Sequence, residues 1–457
     1  MQTTNTVWAE HALTGKGWQS AVAVSIDTEG RIVDVSPDTK ACGTRVGILL
    51  PAVANLHSHA FQRAMSGMTE TRGPDPSDSF WSWRKLMYRF LMHLNPDDAE
   101  SIAAFGQMEM LESGYAAVGE FHYLHHQPDG KPYAQIAEMS ERILAASFKT
   151  GIGLTLLPVL YEQGGCDGRE LTGGQLRFGN SFDQFEKLYA EVASCIEKHH
   201  QSAGLGIAPH SIRAVSKSSL VKAHELVNNR PFHIHVAEQE AEVQEVLHMW
   251  NARPVQWLFD QFPVSENWCL IHATQMLPDE TIQLASSGAI AGLCPITESN
   301  LGDGIFDGKR FLENNGLWGI GTDSNVRISL SEEIRTLEYS QRLRDKGRAI
   351  LAEQARSSGR VLFDAALQGG AKALQRECGR IEQGYLADML ALDLSSSGFL
   401  AVENDQWLDA WIFAQDDQLI TDVWSSGQHL VESGRHVHRD QIEDSYRKTM
   451  SSLRLSL

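Results

Sequence analysis

Leu49-Leu50-Pro51-Ala52-Val53-Ala54-Asn55-Leu56-His57-Ser58-His59-Ala60 is an apolar run that ends in two histidines spaced two apart. On an extended strand both imidazoles project to the same face. In a parallel barrel that face is the interior, and catalytic groups gather at the C-terminal ends of the strands. An HxH pair alone fits two unconnected polar histidines equally well. Its weight comes from later segments that repeat the pattern. Pro231-Phe232-His233-Ile234-His235-Val236-Ala237-Glu238 is a second apolar run ending in histidine, with a carboxylate three residues on. Leu270-Ile271-His272-Ala273 and Gly321-Thr322-Asp323-Ser324 follow. A lone aspartate after a strand is ordinarily a helix N-cap, so Asp323 gains meaning only from its company. Neutral imidazoles and a carboxylate converging at one mouth suit a catalytic divalent metal with an open position for water.

Working outward, apolar runs alternate with segments of helical character. The expected barrel strands are Val53–His57, Ala116–Phe121, Gly153–Val159, Leu205–Ala208, Phe232–Val236, Cys269–His272, Ala289–Leu293 and Leu317–Thr322. Eight such runs match a (β/α)8 TIM barrel over residues 51–384. Both ends of the chain read as β-rich. Ala21–Ile26, the turn Asp27-Thr28-Glu29-Gly30 and Arg31–Val35 form a hairpin pattern, and similar texture returns in Ala387–Asp393, Leu419–Trp424 and Gln428–Val431. Residues 1–50 and 385–457 are therefore expected to build one small β-sandwich domain. The connector from Ser66 to Asn95, with Phe80-Trp81-Ser82-Trp83-Arg84, reads as a long active-site loop followed by a helix.

Bulk properties narrow the function. The 457 residues carry 39 Lys plus Arg against 58 Asp plus Glu, a net charge of −19. That balance argues against nucleic-acid or anionic membrane partners. It says little about a small anion, because a few buried arginines set their own local field. Six scattered cysteines (Cys42, Cys166, Cys195, Cys269, Cys294, Cys378) form no CxxC, which excludes a thiolate metal motif and a disulfide framework. The first residues, MQTTNTVWAEHALTGKGW, lack a basic segment followed by an apolar one. A cytoplasmic location is expected, and a homodimer is the expected assembly, being the commonest one.

By position, His57, His59, His235, His272 and Asp323 are the candidate metal-site residues; the first three and Asp323 are the expected ligands, and whether His272 contacts the metal stays open. His235 is preferred over His233 because it is nearer the mouth, and His233 is expected in the core. The ordered HxH, HxxE, His and Asp resemble the amidohydrolase superfamily in its one-metal subtype. A two-metal member would need a lysine on the fourth strand, and Gly204-Leu205-Gly206-Ile207-Ala208-Pro209-His210 has none. Further text resembles the formimidoylglutamate deiminases within that superfamily: Asn55–Met65, Phe80–Arg84, Gly119-Glu120-Phe121-His122-Tyr123-Leu124-His125-His126, Ala208–Val215 and His233–Gln239.

The resemblance implies a small dicarboxylate substrate, N-formimino-L-glutamate, with Arg84 and Arg213 binding carboxylates through their planar forks. It also implies hydrogen bonds from Gln62, Tyr123 and His210. His125 and His126 are expected to be structural or solvent-facing, and Trp81 and Trp83 to be packing groups. The metal, zinc first with iron and manganese fitting the same donors, would lower the pKa of a bound water toward about 7. Asp323 would ligate the metal and take a proton from the water, and Glu238 would protonate the departing nitrogen. His272 would either be a further ligand or orient the water and stabilise the intermediate. Two alternatives stay open: a deaminase of a heterocycle such as guanine or cytosine, and a catalytically silent zinc-binding protein on the same fold.

Overall fold

The computed structural model describes residues 3–70, 80–200 and 202–455. The side chains of Thr3, Thr4, Phe80, Trp81, Ser82 and Arg84 lie outside the described part. Eight parallel strands close into the barrel. Val53–Ser58, Tyr115–His122, Gly153–Leu160 and the short Gly204–Leu205 with Ala208–Pro209 form one arc. Phe232–Val236, Trp268–His272, Ile290–Leu293 and Leu317–Ile320 form the other. Bridges seal both seams: Ile207 pairs with Phe232, Ser211 with His235, and Ser58 with Asp323. The last bridge joins the first strand to the eighth and so brings His57, His59 and Asp323 side by side.

The eight expected strands are all present, with shifts at their ends. The fourth is broken in two, because the chain bends through Gly206, where a Cβ would lie 2.4 Å from the Pro231 carbonyl oxygen. Inside the barrel, Leu56 fills the space left by Gly292 and Gly319. A Cβ at either position would approach a Leu56 methyl to 2.8 Å or 2.6 Å, so bulk at Leu56 and its absence opposite are one packing solution.

Both ends of the chain meet in a single eight-stranded sheet. Its order is Arg435–His436, Gln428–Glu432, Ile420–Ser425, Met389–Leu392, Thr44–Pro51, Thr3–Thr14, Gly17–Asp27 and Ile32–Ser36. Thr44–Pro51 runs parallel to Thr3–Thr14 and antiparallel to Met389–Leu392, which is how the two ends interlock. Val22, Val24, Ile26, Leu49, Met389 and Trp424 share one buried cluster of this sheet. The sequence reading did not foresee the final helix, Arg439–Arg454. It packs across Pro96–Glu112, where Tyr446 stacks on Phe105 at 3.9 Å between ring centroids. Among the described residues no helix is long and apolar enough to cross a membrane.

Candidate active site

The strands deliver their polar side chains by a shared backbone device. Ala237, His272, Ala273 and Asp323, each just at or past a strand end, take left-handed conformations with φ of 50°, 70°, 51° and 45°. A non-glycine residue there costs about 1–2 kcal/mol, and such strain persists only where surrounding structure over-determines it. Here it does. Ala273 N–H donates to Val236 O at 3.1 Å, Gln275 N–H to Ala237 O at 2.9 Å, and Asp323 N–H to His57 O at 3.0 Å.

The resulting cluster is compact and buried. His57, His235, His272 and Asp323 each offer an atom within 4.8 Å of all the others. His57 Nε2 lies 3.2 Å from Asp323 Oδ1 and 3.2 Å from His235 Nε2. His59 Nε2 joins from the side, 3.3 Å from the same Asp323 oxygen. Two outer contacts orient the rings. His59 Nδ1 sits 2.9 Å from Phe121 O, and His235 Nδ1 sits 3.0 Å from His210 O. A carbonyl can only accept, so these Nδ1 atoms carry the protons and both Nε2 lone pairs face the centre. Burial pushes the His57 imidazole down to about 3, and lowers His59 and His235 as well. Burial works against the charge of Asp323, but the His57 hydrogen bond and the neighbouring histidines hold its carboxyl below the usual range. Neutral imidazoles beside one carboxylate are the donor set a divalent cation takes.

Glu238 and His272 face each other at this centre, 3.8 Å apart, and His272 Nε2 is 3.9 Å from Asp323 Oδ2. Burial raises the Glu238 carboxyl, opposed by His272 and reinforced by Asp323. His272 runs the other way: burial opposes its charge, yet Glu238 and Glu298 hold it well above its ordinary value. A carboxyl that keeps its proton longer than usual is suited to deliver it.

Above the cluster opens a pocket whose floor is the histidine and carboxylate group itself. Gln62, Tyr123, His210 and Arg213 line it with His59, His235, His272, Glu238 and Asp323. Gln62 Nε2 donates to Tyr123 Oη at 2.7 Å, and Gln62 Oε1 is buried with no hydrogen-bond partner among the described residues. Arg213 makes no side-chain hydrogen bond among the described residues, and its Nε lies 3.7 Å from Glu242 Oε1. One expectation needs correction. Arg84 is not on a loop, because the stretch from Phe80 begins the helix Phe80–Leu91, while its side chain lies outside the described residues. Trp83 packs against a core cluster as expected and also lines the cavity. His125 and His126 are buried rather than solvent-facing, bonded to Val159 O and Asn180 Oδ1. His233 is the expected core residue, bonded through Nε2 to Ala373 O at 2.8 Å.

Residues 48–430 match the amidohydrolase family. The chain belongs to that family. This amidohydrolase is 43% identical over 454 residues to the formimidoylglutamate deiminase of Pseudomonas aeruginosa, covering 98% of this chain and 99% of that one. An amidohydrolase from Brucella melitensis, known from its crystal structure, superposes with a TM-score of 0.94 at 44% identity, covering 98% of this chain and 100% of that one. An adenosine deaminase from Xanthomonas campestris with bound zinc aligns at a TM-score of 0.82 and 19% identity over 98% of each chain, a likeness of fold alone.

Sequence reasoning missed the residues that brace this amidohydrolase's site. Glu298, in the helix Pro295–Leu301 after the seventh strand, places Oε1 3.2 Å from His272 Nδ1 and accepts the Cys294 N–H at 2.8 Å. Asn325 spans the barrel seam, donating to Ser58 Oγ, His59 O and Asp323 O at 3.1, 3.2 and 3.2 Å. Glu120 accepts the Ala60 N–H at 2.7 Å. None of them ends an apolar run in a metal-ligand motif. Their only sequence signal is proximity to a strand end.

Proposed function

We propose that this amidohydrolase converts N-formimino-L-glutamate and water to N-formyl-L-glutamate and ammonia. The observation that carries the reading is the 43% identity to the Pseudomonas aeruginosa deiminase, which spans 98% of this chain. The cavity's chemistry supports it. A half-buried arginine whose fork makes no hydrogen bond among the described residues lines the pocket beside the cluster, as a carboxylate-bearing substrate requires, whereas a neutral ring does not.

We assign residues 51–384 to the catalytic barrel and 1–50 with 385–457 to the terminal β domain. His57, His59, His235 and Asp323 are the residues that would hold a divalent cation, zinc in our reading, which when bound supplies Lewis-acid activation of the attacking water. Asp323 accepts the proton that this water loses. Glu238 passes a proton to the formimino nitrogen, so that it departs as ammonia while the other nitrogen stays in the formamide. His272 stabilises the charge that develops on the oxygen of the tetrahedral intermediate, its ring fixed by Glu298. Arg213 and Arg84 take the carboxylates, and Gln62, Tyr123 and His210 supply hydrogen bonds.

An ammonia-release assay on zinc-loaded protein tests this, with N-formimino-L-glutamate beside guanine and cytosine. Turnover confined to the first compound is expected. No turnover of it would overturn the assignment.

A further inference from the structure

One buried carboxylate beside the cavity has no part in the chemistry above. Glu242 lies in the first turn of the helix Glu240–Trp250, four residues after Glu238, with its side chain 1% exposed. Its Oε2 accepts the backbone N–H of Glu238 at 3.1 Å. Its Oε1 faces Arg213 Nε at 3.7 Å, and neither atom has a hydrogen-bond partner among the described residues. Plain helix capping accounts for one oxygen only. Leaving the second buried and unbonded is costly unless its charge has a use. The neighbouring acid on this helix, Glu245, is engaged elsewhere, with the Cys166 N–H and Arg169.

We propose that Glu242 is a positioning residue that aims the Arg213 guanidinium at a substrate carboxylate and ties this clamp to the segment bearing Glu238. The proposal rests on the dicarboxylate reading above. The buried Nε edge of Arg213 faces Glu242, while the guanidinium lines the cavity and its side chain remains 17% exposed. A fork held in advance loses less freedom when a carboxylate docks. Because the same carboxylate also holds the Glu238 backbone, the clamp and the proton-transfer residue share one anchor. The charge of Glu242 also repels a bound carboxylate. Aim and repulsion have opposite signs, so one measurement separates them.

Glu242→Gln keeps an oxygen to accept the Glu238 N–H and removes the charge facing Arg213. Glutarate is titrated calorimetrically into cation-loaded wild-type, E242Q and E242D protein, and steady-state kinetics are run with N-formimino-L-glutamate. In E242Q the glutarate Kd and the KM are expected to rise together by about ten- to hundredfold, with kcat within about threefold of wild type. In an R213K background the same change should add less than about twofold. E242D withdraws the carboxylate by one methylene and should raise the Kd as well, which keeps the test decisive if E242Q does not fold. A Kd that is unchanged or tighter, or a fall in kcat alone, would overturn the proposal. A wild-type protein that binds glutarate through Glu242 but leaves N-formimino-L-glutamate intact would remove the substrate reading and support the clamp.

Discussion

Replacing Glu238 with glutamine removes the proton from the group proposed to deliver it and changes little else. Glu238 is not among the atoms that converge within 4.8 Å on the cation centre, and it stands 3.8 Å from His272 Nε2. Cation content should therefore stay at the wild-type ratio when measured by mass spectrometry of the metal. A positioned acid contributes about 10²–10⁴-fold to a rate, equivalent to about 3–5 kcal/mol at 1.36 kcal/mol per tenfold. Ammonia release should fall by that factor, mostly in kcat. Stability should move the other way. Burial raises the Glu238 carboxyl, so the unfolded chain gives up this proton at a lower pH than the folded one. The folded state consequently loses stability as pH climbs past the unfolded pKa, and a neutral glutamine escapes that loss. Melting at pH 8 should show a Tm at or above wild type. Full activity, or loss of the cation, would refute the role given to Glu238.

Arg213→Lys keeps the charge but loses the planar fork, and should raise KM about tenfold or more in the ammonia assay with kcat less affected. Asn325→Ala removes the one amide nitrogen that makes all three seam contacts and leaves alanine at a φ of 54°. A loss of about 2–4 kcal/mol in denaturant unfolding is expected, with weaker cation retention in a chelator competition. Glu120 is buried with its carboxyl pushed up to about 8 from 4.5. The folded state therefore loses about 1.4 kcal/mol per pH unit as pH rises between those values, and no more above the higher one. Glu120→Gln should raise the Tm over wild type by more at pH 8 than at pH 5.

The histidine and aspartate cluster was legible because its signals are local. Apolar runs ending in His57-Ser58-His59, His235 and His272 carry strand, face and mouth in a few residues each, and barrel topology does the rest. Asp323 was legible only through its neighbours, since strand-end aspartates more often cap helices. The bracing residues were hidden because their meaning is a contact across the chain. Asn325 and Ser58 are 267 positions apart, and His272 and Glu298 are 26. Glu242 looked like any acid in a first helical turn, and only its place between Arg213 and the Glu238 backbone sets it apart. Phe80–Arg84 was misread as loop because the five residues were read alone; only with Met87, Phe90 and Leu91 does the stripe begun by Phe80 and Trp83 emerge, and helix Phe80–Leu91 lays Trp83 and Met87 along the cavity. The final helix, too, is placed by long-range contacts, among them Tyr446 stacked on Phe105 and Arg439 paired with Glu112.

The reaction is defined by which carbon–nitrogen bond breaks. Water added to the formimino carbon leaves a centre that can expel either nitrogen. If Glu238 protonates the terminal nitrogen, the products are ammonia and N-formyl-L-glutamate. If the glutamate nitrogen leaves instead, they are formamide and L-glutamate. Turnover of N-formimino-L-glutamate in ¹⁸O-labelled water, with products read by NMR and mass spectrometry, decides between them. The account predicts ammonia together with N-formyl-L-glutamate carrying one label in its formyl oxygen. Formamide with unlabelled L-glutamate, or no reaction by the cation-loaded protein, would contradict it.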